Sequence, residues 1–308
     1  MAIVTLTLSP AYDIHAYCDS FCAEAENHVR LLARDAGGKG LNISRALGEY
    51  SVKSTAVILL GEENSADFEN SSFNRNITLC TLKTRGRIRE NITVHTAKGN
   101  ETRISFEGFS ADNSVISVLH ESLKLNKGDV LTVTGSIPAG IDVKSLKEYL
   151  LHLKDSGVKI VIDSRSMTLE DIAEIKPWLI KPNAEEVTKY LHKKITDTSS
   201  AISAVRELSA LGVKNAIISL GELGAVLSAD GKIFVGRAPK IDTVSTIGAG
   251  DSMIAGFIAA TESECDIIEA FKCALAFGSA ACLSEGTLPP SKSNIQELIN
   301  KVEIFEEN

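Results

Sequence analysis

Residues 130–163 read VLTVTGSIPAGIDVKSLKEYLLHLKDSGVKIVID. They contain an apolar β-branched run (Val130–Thr134), a Gly135-Ser136 turn, a helical pattern (Val143–Asp155) and a second β-branched run (Lys159–Asp163). Strand, helix, strand is the unit of a parallel sheet, because parallel neighbours need a long crossover between them. The alternation extends outward in both directions. Further β-branched runs fall at Ile3–Leu8, Thr55–Leu60, Leu179–Lys181 and Ala216–Leu220. Helical patterns fall at Leu41–Tyr50, Ala184–His192, Ser200–Leu211, Asp251–Thr261, Asp266–Leu283 and Asn294–Val302. The reading is an α/β fold in three layers, a mostly parallel central sheet with helices on both faces. Ligands of such sheets bind outside the carboxyl ends of the strands. That points to Gly135-Ser136, Lys181-Pro182-Asn183 and Ser219-Leu220-Gly221.

Two segments break the pattern. Arg87–His95 and Glu101–Phe106 alternate with period two around Lys98-Gly99-Asn100, as a β-hairpin does. Period two puts Arg87, Arg89, Asn91 and Thr93 on one face and Ile88, Ile92 and Val94 on the other. Tyr12–Val29 is a second candidate segment of the same kind. Together, residues 12–29 and 87–107 suggest a small sheet standing off the body as a lid. Residues 1–308 otherwise read as one domain, in which the polar stretch Glu62–Asn76 has the least pattern.

Composition narrows the function. A 44% hydrophobic content is ample for a core, and a net charge of -8 without a Lys/Arg run argues against nucleic-acid binding. An anionic ligand would therefore be held by a few focused cations and helix ends. The six cysteines are scattered, with no Cys-x-x-Cys and no zinc spacing, and read as free thiols. No apolar run is long enough to span a membrane, so a cytoplasmic protein is expected.

Chemistry concentrates in a few places. Thr246-Ile247-Gly248-Ala249-Gly250-Asp251-Ser252-Met253 is a glycine-rich turn running into an apolar helix, a candidate anion cradle made of backbone N–H groups. Asp251 stands where it can accept a proton from an attacking hydroxyl; the same letters also suit an ordinary helix cap. Gly37-Gly38-Lys39-Gly40-Leu41-Asn42 opens a second helix but lacks the spacing and the Ser/Thr of a P-loop. It offers Lys39 and Asn42 to a polyhydroxylated substrate, or is simply a tight turn. Arg87 and Arg89 either keep an edge strand soluble or grip a phosphate. Asp13 is a loop carboxylate or a ligand for hydroxyls. Asn183 and Glu186 have capping-box spacing and also suit the waters of a Mg²⁺ ion.

In order along the chain, TLTLSPAYD, GGKGLNISRALG, RIREN, TGSIPAG, IKPNAEE, SLGELGA, STIGAGDSM and GSAACLSEGT resemble the ribokinase-like (PfkB-type) sugar kinase family over nearly the whole length. The arginine pair before Glu90-Asn91 is similar to the branch acting on sugar phosphates, which includes 1-phosphofructokinase, tagatose-6-phosphate kinase and the minor 6-phosphofructokinase. The resemblance implies a ribokinase-like fold, ATP and Mg²⁺, a monovalent cation as an optional cofactor, and a homodimer joined through the lid. It implies Asp251 as base, with Gly248, Ala249 and Gly250 holding the transferred phosphoryl group. Asp13, Gly38, Lys39, Asn42, Ser136, Arg87 and Arg89 would bind the sugar phosphate. Lys181, Asn183, Glu186, Ser219, Gly221 and Gly224 would serve ATP and Mg²⁺, and Phe271–Leu283 with Gly286-Thr287 would border adenine. The expected reaction is fructose 1-phosphate to fructose 1,6-bisphosphate. Alternatives are another phosphosugar, an unphosphorylated sugar or nucleoside, and a non-catalytic sugar-phosphate sensor.

Overall fold

A computed structural model describes residues 1–71 and 73–307. Among these residues the strands are β1 (Ile3–Thr7), β2 (Ala11–Cys18), β3 (Arg30–Gly37), β4 (Ser54–Gly61), β5 (Ile77–Thr84), β6 (Arg89–Thr96), β7 (Glu101–Ser105), β8 (Val130–Thr134), β9 (Lys159–Asp163), β10 (Leu179–Ile180), β11 (Asn215–Ser219), β12 (Ala225–Ala229), β13 (Lys232–Arg237) and β14 (Glu303–Glu307). The helices are α1 (Lys39–Glu49), α2 (Ala66–Glu69), α3 (Ser114–Ser122), α4 (Val143–Asp155), α5 (Leu169–Ile175), α6 (Ala184–Leu191), α7 (Thr198–Ala210), α8 (Ala249–Glu262), α9 (Ile267–Ala281) and α10 (Lys292–Ile299).

The main sheet runs β14-β13-β12-β11-β10-β9-β8-β1-β4-β5. It is parallel from β5 to β11 and antiparallel beyond, through β12, β13 and β14. Both faces of its central strands are covered, which explains why β1, β4, β8, β9, β11 and β12 are buried at nearly every position rather than at alternate ones. Ile160 and Ile162 of β9 pack with Leu146, Leu150, Ile172 and Val205 of α4, α5 and α7. Val161 between them packs in the opposite layer with Ile254, Phe257 and Phe277 of α8 and α9.

Helix starts differ in a way that matters for function. The α4, α6 and α9 helices begin at Asp142, Asn183 and Asp266, each of whose side chains accepts a backbone N–H of the first turn. By contrast, α1 and α8 begin at Gly38 (φ 139°) and Gly248 (φ 78°) and have no side-chain cap. In α1 the Leu41 N–H donates to Thr7 Oγ1 at 3.1 Å, whereas the first-turn donors of α8 have no side-chain partner.

The second sheet has the order β3-β2-β6-β7, with β2 and β6 parallel. It is wider than the sequence suggested: the partner of β2 is β3, Arg30–Gly37, which feeds directly into α1. The period-two reading also needs a correction at its start. The strand begins at Arg89, not Arg87. Asn64 holds both polar groups of the Ile88 backbone, accepting its N–H at 2.7 Å and donating to its carbonyl at 3.0 Å. Gly86 (φ 98°) turns the chain just before. Arg87 is therefore exposed outside the ladder. Within the polar stretch that supplies Asn64, Glu62–Asn64 form a 3₁₀ turn and Ala66–Glu69 form α2, structure that its composition did not suggest.

Candidate active site

The carboxyl ends of the parallel strands and the uncapped starts of α1 and α8 open onto one cleft of about 1710 Å³, roofed by the lid sheet. Of the residues assigned from the sequence to the base, the phosphoryl cradle, the acceptor and ATP–Mg²⁺, all but Arg87 line it; of the segments expected to border adenine, Leu275, Gly278, Ser279, Cys282 and Thr287 line it, whereas Phe271 and Gly286 do not. The ends of β1 and β8 bring Thr7, Ser9, Gly135 and Ser136. Those of β10 and β11 bring Lys181, Asn183, Ser219, Gly221 and Gly224.

Asp251 sits in the first turn of α8, three residues past the Gly248 cap, so it is not the cap of the helix. Its side chain is buried, and Oδ2 accepts a 2.9 Å hydrogen bond from Asn42 Nδ2 of α1. Burial pushes its carboxyl up to about 6, against the pull of Lys39, Asn42 and Lys181 and with a push from Asp163. A carboxylate with that affinity is ionised at neutral pH yet takes a proton more readily than an exposed one. Beside it the first-turn amides of α8 form a positive end without a side-chain partner.

Across the cleft, Asp13 of β2 accepts from Asn91 Nδ2 of β6 at 3.0 Å. Its carboxylate lies against Gly37, where any Cβ would overlap it. Arg89 faces the same space. Burial holds its guanidinium below the usual arginine range, Asp13 works the other way and Arg103 adds to the lowering. Its Nε is buried without a partner. Arg103 of β7 lines the cleft too, with Nη2 3.8 Å from Asp13 Oδ1. Two guanidinium groups near one carboxylate leave net positive charge suited to a phosphate.

Arg103 was missed from sequence although a signal existed. Extending the hairpin back from its Lys98-Gly99-Asn100 turn sets Thr93 opposite Arg103 and Asn91 opposite Ser105, the observed register. Asp163 and Arg165, at the end of β9, were missed as well. Asp163 is bound by Lys39 at 2.7 Å and lies 3.7 Å from Lys181 Nζ. Burial alone would raise its carboxyl, but Lys181 and Lys39 outweigh it and hold the group below the ordinary carboxylate range. Arg165 Nε donates to Glu186 Oε1 at 2.9 Å.

Asn183 and Glu186 form the capping box of α6: Asn183 Oδ1 accepts the Glu186 N–H and Glu186 Oε2 accepts the Asn183 N–H. Both are therefore already engaged, which disfavours direct chelation of a metal by this pair. Each carboxylate oxygen still has a second lone pair for a water, so the pair fits a hydrated Mg²⁺ held through its shell. At the far end of the cleft, Leu275, Gly278, Ser279 and Cys282, from α9 and its C-cap, together with Thr287 complete the wall. No helix among the described residues is long and apolar enough to cross a membrane.

Comparison with known proteins agrees with this geometry. A family model described as pfkB family carbohydrate kinase matches residues 3–294. The chain is 34% identical to the 1-phosphofructokinase of Borreliella burgdorferi, covering 91% of this chain and 92% of that one. It is 29% identical to the tagatose-6-phosphate kinase of Staphylococcus epidermidis over 99% of both chains. A crystal structure of phosphofructokinase-2 from Escherichia coli in complex with substrates and products superposes with a TM-score of 0.91 at 25% identity, covering 98% and 99% of the two chains. With the fold, the cleft and the family model in agreement, this chain belongs to the pfkB family of carbohydrate kinases.

Proposed function

We propose that this kinase transfers the γ-phosphoryl group of ATP to a ketohexose phosphate, converting fructose 1-phosphate to fructose 1,6-bisphosphate. The observation that carries the reading is the pairing, across one cleft, of a buried Asp251 beside an uncapped helix start with two arginines, Arg89 and Arg103, on the lid. The arginines grip the phosphate the acceptor already carries, and Asp13, Asn42 and Ser136 bind its hydroxyls. Lys181, Ser219, Gly221 and Gly224 line the nucleotide side. Bound Mg²⁺ would neutralise phosphate charge there, held by Asn183 and Glu186 through its waters.

In the reaction the acceptor hydroxyl oxygen bonds to the γ-phosphorus as the bond to the ADP oxygen breaks. The hydroxyl proton passes to Asp251, and the α8 amides stabilise charge on the moving group. A lid over the site keeps water from acting as acceptor. The lid strands expose Leu31, Leu32 and Ile104, with Phe106 just past the end of β7, the apolar surface a second copy of the chain would cover in a homodimer.

The identity to a tagatose-6-phosphate kinase over both full lengths favours tagatose 6-phosphate as the second candidate acceptor. ADP release measured with fructose, fructose 1-phosphate, fructose 6-phosphate and tagatose 6-phosphate tests the proposal. The highest kcat/KM is expected with fructose 1-phosphate. Activity on free fructose equal to that on the phosphates would refute it.

A further inference from the structure

We infer that Asp163 is a positioning residue that holds Lys39 and Lys181 away from Asp251 and so keeps the base free to take the acceptor's proton; this rests on the kinase reading above. The argument starts from strand order. β9 lies between β8, whose end faces the acceptor side, and β10, whose end carries Lys181 and Asn183. Asp163, the last residue of β9, therefore stands where the two halves of the cleft meet. Its side chain is only 4% exposed, and its two oxygens are divided between two cations. Oδ2 takes Lys39 Nζ at 2.7 Å, and Oδ1 faces Lys181 Nζ at 3.7 Å.

Both lysines lie close to the base. Lys39 is on the same turn of α1 as Asn42, which bonds Asp251. Lys181 Nζ lies under the first turn of α8, 2.9 Å from where a Cβ on Gly250 would be. The charged groups acting on Asp251 are therefore Lys39 from α1, Lys181 from the end of β10, and Asp163 from β9. Two cations are shared by two buried carboxylates. Glu186, further out, is committed to its capping box and to Arg165. Without Asp163, the buried carboxylate left for both ammonium groups is Asp251. An ion-paired Asp251 is a weaker base and a poorer acceptor for the substrate's proton.

The test is kcat against pH from 5 to 9 at saturating ATP–Mg²⁺ and fructose 1-phosphate, read as ADP release. Asp163→Asn is expected to lower the plateau about 10–100-fold and to move the acid limb down by about one pH unit. A merely structural role would lower activity equally at every pH and leave the limb in place, and that result overturns the inference. So does an unchanged profile. If Asp163→Asn does not fold, Asp163→Asn/Lys39→Met removes one charge of each sign and is compared with Lys39→Met alone. The limb is then expected at lower pH in the double variant, because Lys181 turns to Asp251; coincident limbs overturn the inference. A wild-type chain with no phosphosugar-dependent ADP release would refute the kinase reading itself. An active wild type with unmoved limbs in the variants would refute only the role of Asp163.

Discussion

Asn42 and Asp251, 209 positions apart in the chain, meet at 2.9 Å, the amide donating to the carboxylate. The contact ties the first turn of α1 to the first turn of α8, both of which start at a glycine that offers no side-chain cap. It also favours the ionised form of Asp251 against the burial that disfavours it. Asn42→Ala removes that donor. A hydrogen bond to a charged group is worth about 1.5–3 kcal/mol, so the acid limb of kcat should rise by about one to two pH units. A pH–rate profile checks this; activity should fall more at pH 6.5 than at pH 8.5.

In the wild type, kcat should rise as pH passes through about 6, where Asp251 loses its proton. Stability should run the other way. The folded-state affinity of Asp251 for a proton is raised above its ordinary value, so its favourable contribution is complete below about pH 4 and is lost as pH rises through about 6. Asp251→Asn removes the cost of burying that charge. Its Tm should lie closest to the wild type near pH 4 and exceed it by about 2–4 °C or more at pH 8. Thermal melts at both values decide the sign.

The lid arginines should separate acceptor from nucleotide. Arg89→Ala and Arg103→Ala each remove a charged contact to the acceptor phosphate and should raise its KM about tenfold to a hundredfold, leaving the KM for ATP within about threefold. Arg87→Ala should be near wild type, because Arg87 is exposed and outside the cleft lining. Steady-state kinetics on the three variants check the contrast.

Gly37 gives a steric test of the Asp13 site. A methyl at this position overlaps the Asp13 carboxylate, which also holds Asn91. Gly37→Ala should raise the acceptor KM by about tenfold or more while the KM for ATP changes little, since one misplaced binding group costs roughly a charged hydrogen bond.

Much of this was legible in the sequence because local chemistry and global position agreed. Val130–Asp163 spells a strand–helix–strand unit, and its strands occur as Val130–Thr134 and Lys159–Asp163. Asp251, Gly248, Ala249 and Gly250 share one cleft with Gly38, Lys39 and Asn42 because the two glycine turns both open helices at that end of the sheet. Two kinds of information were hidden. The exclusion of Arg87 depends on Asn64, a side chain from a stretch without periodicity, so no pattern in the hairpin itself reveals where the strand begins. Asp163 closes a β-branched run and carries no motif; its importance comes from Lys39 and Lys181, which are distant in sequence and meet it only in three dimensions. Arg103 lies between these cases, recoverable from the turn by counting the hairpin register.

The central claim is that Asp251 accepts the acceptor's proton beside an amide cradle that holds the transferred group. ADP release by Asp251→Asn, with ATP binding measured on the same preparation by calorimetry, tests it most directly. The account predicts turnover reduced about 10²–10⁴-fold, with ATP affinity within about threefold of wild type. Turnover above a tenth of the wild-type rate, with ATP still bound, would contradict it.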